Sequence, residues 1–197
     1  MLKDLARQSR SYRGFDESRK ITRDELLELV DCARYAPSSV NRQPLKYYLA
    51  YTPRQLETIQ PLTGWARALP KLHLPHPGHR PTAFIVICQD TQIDSDLTRY
   101  LRDVGAVAQT ILLAATEQGL GGIMIGNFAP KRIAEALDLP ENLTPMLILA
   151  LGKPEETIVL TEIDPGDSTD YYRDDQDVHY VPKRKLADIV LDDGGLE

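Results

Sequence analysis

Cysteine is nearly absent from this chain. Two residues in 197, Cys32 and Cys88, stand far apart, so no CxxC redox or zinc pair exists and no disulfide framework is available. One falls in a helical pattern and the other in a strand pattern, and both are expected as small buried apolar side chains. A surplus of positive charge is also missing. With 23 Lys and Arg against 29 Asp and Glu, the net charge is −6. That argues against nucleic acid or an anionic membrane as partner, since both reward clustered cations, but leaves room for a local basic pocket around one phosphate. No apolar run approaches the ~20 residues of a membrane-spanning helix. Met1-Leu2-Lys3-Asp4-Leu5 carries charge where a secretory leader needs an apolar core. The chain has no GxSxG elbow, no HExxH, no evident carboxylate pair and no internal repeat. Nucleophilic catalysis and metalloprotease chemistry therefore lose their usual signatures. What is left is an average globular composition, 42% hydrophobic and 26% charged. It fits a soluble, cytoplasmic protein with a single domain: a core over residues 1–160 and a C-terminal extension over 161–197.

Several segments are strongly patterned. Thr22-Arg23-Asp24-Glu25 is a capping box, and Leu26, Leu29, Val30 and Ala33 recur at helical spacing behind it, predicting a helix over 23–35. Pro37 stops that helix. Short helices are expected at 2–9, 53–60 and 130–137. A longer one spans 103–118, with Val104, Val107, Ala108, Ile111, Leu112 and Ala115 on one stripe. Strands are expected at 47–51, 83–88 and 146–151, the second an unbroken apolar run typical of a strand covered on both faces. A short strand through Met124 follows a helix end at Gly119. Between Pro61 and Pro81 the periodicity collapses. This stretch holds five prolines, Trp65, and His73, His76 and His79. A metal site would need those histidines aligned, which Pro75 and Pro77 oppose. A lid or wall of a binding site, anchored by Trp65, is the other reading.

Three polar segments carry the functional signal. Arg10-Ser11-Tyr12-Arg13 sets two forked guanidiniums around a hydroxyl, either an anion site or a solvated turn. Ala36-Pro37-Ser38-Ser39-Val40-Asn41-Arg42-Gln43-Pro44 is a proline-bracketed loop dense in hydrogen-bonding groups, either a ligand wall or a helix-to-strand connector. Gly119-Leu120-Gly121-Gly122 through Phe128 is rich in glycine. It fails as a dinucleotide fingerprint, because GxGxxG from Gly119 would need glycine where Met124 stands and a strand where a helix precedes. Pro182-Lys183-Arg184-Lys185 adds a basic spot near the end. Together these are binding groups without an acid, base or nucleophile among them, the profile of a protein whose reactive atoms belong to a cofactor.

In order, spacing and total length, these three segments resemble the signatures of the FMN-dependent nitroreductase family, and the resemblance covers essentially the whole chain. It implies an α+β fold with a central mixed β-sheet flanked by helices. It also implies a homodimer with FMN at the subunit interface and a C-terminal arm extended onto the partner. By the same resemblance Arg10, Ser11 and Arg13 would grip the phosphate, ribityl chain and pyrimidine side of FMN, with Tyr12 contributing backbone. Pro37, Ser38, Ser39 and Asn41 would reach the ring from the other subunit. Ile125 and Gly126 would line the ring near its reactive nitrogen, and Lys183 and Arg184 would lie near the phosphate. The implied activity is hydride transfer from NADH or NADPH through flavin to nitroaromatics, quinones or similar electrophiles, with no catalytic side chain and no metal. Reductive dehalogenases, flavin-fragmenting enzymes and non-catalytic flavin binders are the alternatives. One departure stands out: the family's first motif commonly has two adjacent basic residues before its serine, whereas Ser9 precedes Arg10 here.

Overall fold

In the computed structural model, which describes residues 1–66, 69 and 72–191, the chain begins with α1 (Leu2–Gln8), β1 (Phe15–Asp16), α2 (Arg23–Ala33) and β2 (Leu45–Ala50). It continues through α3 (Pro53–Ile59), β3 (Ala83–Asp90), α4 (Leu101–Glu117), β4 (Gly121–Ile125), α5 (Pro130–Ala136) and β5 (Leu143–Pro154). The last elements are β6 (Ile158–Ile163), β7 (Tyr172–Arg173) and β8 (His179–Arg184). Two compact units result, Met1–Trp65 with His73–Glu155, and Ala66–Leu72 with Glu156–Glu197.

The larger unit is built on a five-stranded sheet. β5 and β3 form its centre, β2 pairs with β3, and β4 and β1 both pair with β5. These ladders are antiparallel; the mixed character of the sheet is confined to an isolated parallel bridge between Ser11 and Gly122. Strand side chains alternate between faces, and the apolar run of β3 obeys that rule. Ala83, Ile85 and Ile87 join Leu149 and Leu151 of β5 against Leu26 and Leu29 of α2 and Val104, Ala108 and Ile111 of α4. Phe84, Val86 and Cys88 join Ile148 and Ala150 on the opposite face, with Ile59 of α3 and Ile133 of α5. Both faces are covered, as the unbroken hydrophobicity of 83–88 implies. Each buried Val, Leu, Ile and Phe among them contributes about 1.5–3 kcal/mol, so the two layers dominate the stability of this unit.

The capping box forms as expected. Thr22 Oγ1 accepts from the Glu25 amide and Glu25 Oε2 accepts from the Thr22 amide at 2.8 Å. Arg19 also reaches the Glu25 carboxylate. Chiefly through Arg19, the Glu25 carboxyl is held down to about 2. Its ionised form is therefore favoured by folding. That stabilisation is complete above the ordinary carboxyl value and is lost as pH falls toward 2. Glu25→Gln should cost about 1 kcal/mol at pH 7, and the gap to the parent should close between about pH 5 and pH 2 in urea melts.

Cys88 is buried, and burial pushes its thiol up to about 12. Cys32 is a correction: it is exposed. At about 100° per helical residue it lies a full step off the Leu26–Leu29–Ala33 stripe, on the outer face of α2. The helix at α4 ends where Gly119 takes φ 71°, while Leu120 N–H closes onto Ala115 O at 2.8 Å. That left-handed residue turns the chain directly into β4.

In the smaller unit, β8 pairs in parallel with β6 and antiparallel with β7. No strand is read there from sequence, since its apolar runs are short and interrupted by charge. Arg173 forms an ion pair with Glu156, both side chains buried, and a second with Asp177 at 2.9 Å. Among the described residues, no helix is long and apolar enough to cross a membrane.

Candidate functional site

The Arg10–Arg13 segment leaves α1 and runs beside the start of β4. Ser11 bridges Gly122, and the Tyr12 amide donates to Gly122 O at 3.2 Å. The Tyr12 hydroxyl donates to Gln8 O at 2.7 Å, and its ring fills the space where a Cβ on Gly121 would stand. The first and third polar segments of the sequence are thus one structural element. Gly121 and Gly122 are what permits it: a Cβ on Gly122 would lie 2.5 Å from Ala150 O.

Both guanidiniums are held rather than solvated. Arg10 is half-buried, its Nη2 donates to Ala6 O at 2.5 Å, and its Nε is buried with no hydrogen-bond partner among the described residues. Burial lowers its pKa, with Tyr12 pushing the other way. Arg13 is 6% exposed and its Nη1 donates to Ser11 O at 3.0 Å. Ser11 itself is exposed. The solvated-turn reading of this segment does not survive that burial.

At the end of β4, Ile125 and Gly126 behave differently. The Ile125 side chain is buried in the core with Ile133 and Ile148, so only its backbone is available to a ligand. Gly126 is exposed, and among the described residues a Cβ built there meets nothing within 4 Å. The segment before the irregular stretch packs alongside. Gly64 N–H donates to Asn127 O at 2.8 Å, Thr63 bridges Phe128, and Trp65 Nε1 donates to Thr63 Oγ1 at 2.9 Å. Trp65 also rests against the Phe84–Ile148 core layer. His79 Nδ1 lies 3.0 Å from Glu155 Oε2. Among the described residues no group of three or more His, Cys, Asp or Glu is arranged to hold a metal ion.

The Pro37–Gln43 loop lies at the other edge of the sheet. It leads into β2, while Gly126 follows β4, and β5 and β3 separate those two edge strands. At the usual strand spacing, three steps amount to about 14 Å. Pro37 is exposed and Ser38 and Ser39 are half-buried. Ser38 Oγ donates to Asp103 Oδ2 at 2.7 Å and accepts from the Gln43 amide at 3.0 Å, and the Ser39 amide donates to the same Asp103 oxygen at 2.9 Å. Asn41 Oδ1 accepts from Gln43 Nε2 at 3.0 Å. A pocket of about 140 Å³ opens beneath, between Pro37, Ser38, Gln43, Tyr47, Asp103 and Val107. Burial there pushes the Tyr47 hydroxyl up to about 12. Asp103 is the residue that sequence reasoning missed. It could be read as an acidic residue in the first turn of a helix, but nothing local ties it to a serine 65 positions away.

In the smaller unit, Lys183 and Arg184 are exposed on β8, and Lys185 is paired with Asp164 at 2.5 Å.

Comparison with known proteins gives a family. A profile described as the nitroreductase family matches residues 6–153, which contain all three polar segments. A protein of Archaeoglobus fulgidus named NADH dehydrogenase/NAD(P)H nitroreductase is 26% identical over 152 residues, covering 75% of this chain and 82% of its own. The crystal structure of a nitroreductase family protein from Clostridium difficile 630 superposes with a TM-score of 0.61 at 26% identity, over 79% of this chain and 85% of that one. A nitroreductase from Exiguobacterium sibiricum, crystallised in complex with FMN, superposes with a TM-score of 0.65 at 21% identity, over 78% of this chain and 88% of that one. With the profile spanning most of its length, the chain belongs to the nitroreductase family.

Proposed function

We propose that this protein is an FMN-dependent oxidoreductase that takes reducing equivalents from NADH or NADPH and passes them to an electrophilic acceptor of the nitroaromatic or quinone class. The observation that carries the reading is the Arg10–Arg13 segment bonded to Gly122, with two partly desolvated guanidiniums and a buried Arg10 Nε that has no partner among the described residues. Desolvated forked donors match the oxygens of a phosphate. The residues present fit the cofactor. Arg10, Ser11 and Arg13 would hold its phosphate, ribityl chain and pyrimidine edge, with Tyr12 fixing the segment through its backbone. Among the described residues nothing crowds Gly126, so a planar ring can lie against backbone there. When bound, FMN supplies the redox chemistry, accepting hydride from the nicotinamide and delivering electrons to the acceptor.

The second wall of the site belongs to a homodimer in this reading, formed by Pro37, Ser38, Ser39 and Asn41 of the partner subunit. The separation of the two edge strands supports it, since one chain does not close both walls on one ring. Residues 161–197 would extend onto the partner, with Lys183 and Arg184 adding charge at the phosphate. The exposure of Leu186, Ile189 and Val190 fits a segment that another surface covers. The protein's own task is to bind, orient and exclude water, and no side chain is assigned as acid or base.

Purified protein should be yellow and release FMN on denaturation. Its flavin absorbance should bleach anaerobically with NADH or NADPH and return on adding menadione or a nitroaromatic. A colourless preparation that cannot be reconstituted with FMN refutes the reading. A flavin that neither nicotinamide bleaches would leave a binding protein without turnover.

A further inference from the structure

We infer that Asp103 is a positioning residue for the site, holding the Ser38–Gln43 loop in a backbone course that the loop would not adopt alone. The inference rests on the flavoenzyme reading above only in naming FMN as the ligand that this loop faces.

The loop is strained in a specific way. Val40, Asn41 and Gln43 take φ values of 45°, 54° and 51°, the left-handed region that residues other than glycine rarely enter. Asn tolerates it, whereas a β-branched Val does not do so cheaply. Such conformations persist when the surroundings over-determine them, and they concentrate at ligand clamps. The local backbone-to-backbone hydrogen bonds here are Asn41 N–H to Ser38 O at 2.9 Å and Arg42 N–H to Ser39 O at 3.1 Å. They close one 3₁₀ turn, but they cannot orient it against the rest of the protein.

Asp103 supplies that orientation. One carboxylate oxygen, Oδ2, accepts from both Ser38 Oγ and the Ser39 amide. The second of these is the first amide of the 3₁₀ turn, so a residue of α4 caps the turn from outside. The restraint passes onward, because the same Ser38 hydroxyl accepts from the Gln43 amide at the far side of the strained residues. Hydrogen bonds in series polarise and strengthen one another. Asp103 is itself fixed: it is 6% exposed, in the first turn of a helix whose next residues, Val104 and Val107, are buried. The helix N-terminus favours its negative charge, and the two donors satisfy it in a buried setting. One buried carboxylate thus ties the turn at its start and, through Ser38, at its end. It also follows that the Ser38 hydroxyl is committed within the protein, so its part in the site is to shape the loop, leaving Ser39 and Asn41 to meet a ligand.

The test uses Asp103→Ala, Asp103→Asn and Ser38→Ala in the full chain. It reads amide hydrogen exchange by NMR or mass spectrometry, and FMN affinity by fluorescence titration of the cofactor-stripped protein. Asparagine keeps an acceptor where Oδ2 stands, whereas alanine removes it. In Asp103→Ala the Ser39 and Gln43 amides should exchange at least about tenfold faster, while the amides of α4 and β3 keep their protection. FMN affinity should fall about tenfold in Asp103→Ala and stay within about threefold of the parent in Asp103→Asn. Ser38→Ala should release Gln43 alone, and if Asp103→Ala fails to fold, this variant and Asp103→Asn decide the matter. Unchanged exchange at Ser39 and Gln43 overturns the inference. So does loss of protection throughout α4, which would mark a general structural role, or faster loop exchange with unaltered FMN affinity. If the parent protein binds no FMN, the functional reading falls, while loop exchange still decides whether Asp103 holds the loop.

Discussion

Replacing both Arg10 and Arg13 by alanine should weaken FMN binding by at least about a hundredfold, with the single variants intermediate. Hydrogen bonds to a charged partner are each worth about 1.5–3 kcal/mol, so losing two removes about 3–6 kcal/mol, and 1.4 kcal/mol is tenfold in affinity. The two residues differ in what else they do. Arg13 is buried and donates to Ser11 O, so its removal also loosens the segment that carries the serine. Arg10 is the cleaner probe, because its Nε has no partner among the described residues and its Nη2 contact to Ala6 O merely extends the last turn of α1. Arg10→Lys keeps the charge and loses the planar fork, so it should recover part of the affinity but not all. Equilibrium titration of cofactor-stripped protein measures these differences, and a melting temperature for each variant separates lost binding from lost fold. Unaltered FMN affinity in the double variant would remove the phosphate-site assignment.

Gly122→Ala should destabilise the protein by about 3 kcal/mol, lowering the melting temperature by about 6–12 °C. The added methyl would stand 2.5 Å from Ala150 O, 2.7 Å from Leu151 Cδ2 and 2.9 Å from Leu112 Cδ2. Two of these are flexible side-chain ends, but the first is backbone in the central strand of the sheet and cannot yield without shifting the β4–β5 ladder. The same displacement would carry Ser11 and Tyr12 with it, since both pair with Gly122. Weaker flavin retention should therefore accompany the lower stability. Gly126→Ala is the control four residues along. Its methyl would meet nothing within 4 Å among the described residues, and its φ lies outside the left-handed range, so stability should change by no more than about 0.5 kcal/mol. Equal melting of the two variants would contradict the close-approach account of Gly122.

How far the chain can be read without its structure depends on the range of the interaction concerned. The α2 and α4 stripes, the Thr22–Glu25 capping box, the doubly covered β3 and the helix stop at Gly119 were all legible. Each depends on residues within a few positions of one another, where periodicity, caps and left-handed turns act. The three polar segments stand out for the same reason, and their part in binding FMN is the proposal that the arginine variants test. Cys32 was misjudged because one helical step separates a buried position from an exposed one. The strands of the smaller unit were not read, because β6 and β8 pair across an intervening stretch and their short runs carry little alternation.

The sequence by itself determined which segments form helices and central strands, and that the polar groups concentrate at 10–13, 36–44 and 119–128. The tertiary structure alone decided how those groups combine. Strand pairing brought Arg10–Arg13 against Gly122 and set the 36–44 loop at the opposite edge of the sheet. Helix packing delivered Asp103 to Ser38. Local patterns specify local geometry, whereas strand order and long-range hydrogen bonds arise from contacts between residues whose neighbours along the chain carry no trace of the partner.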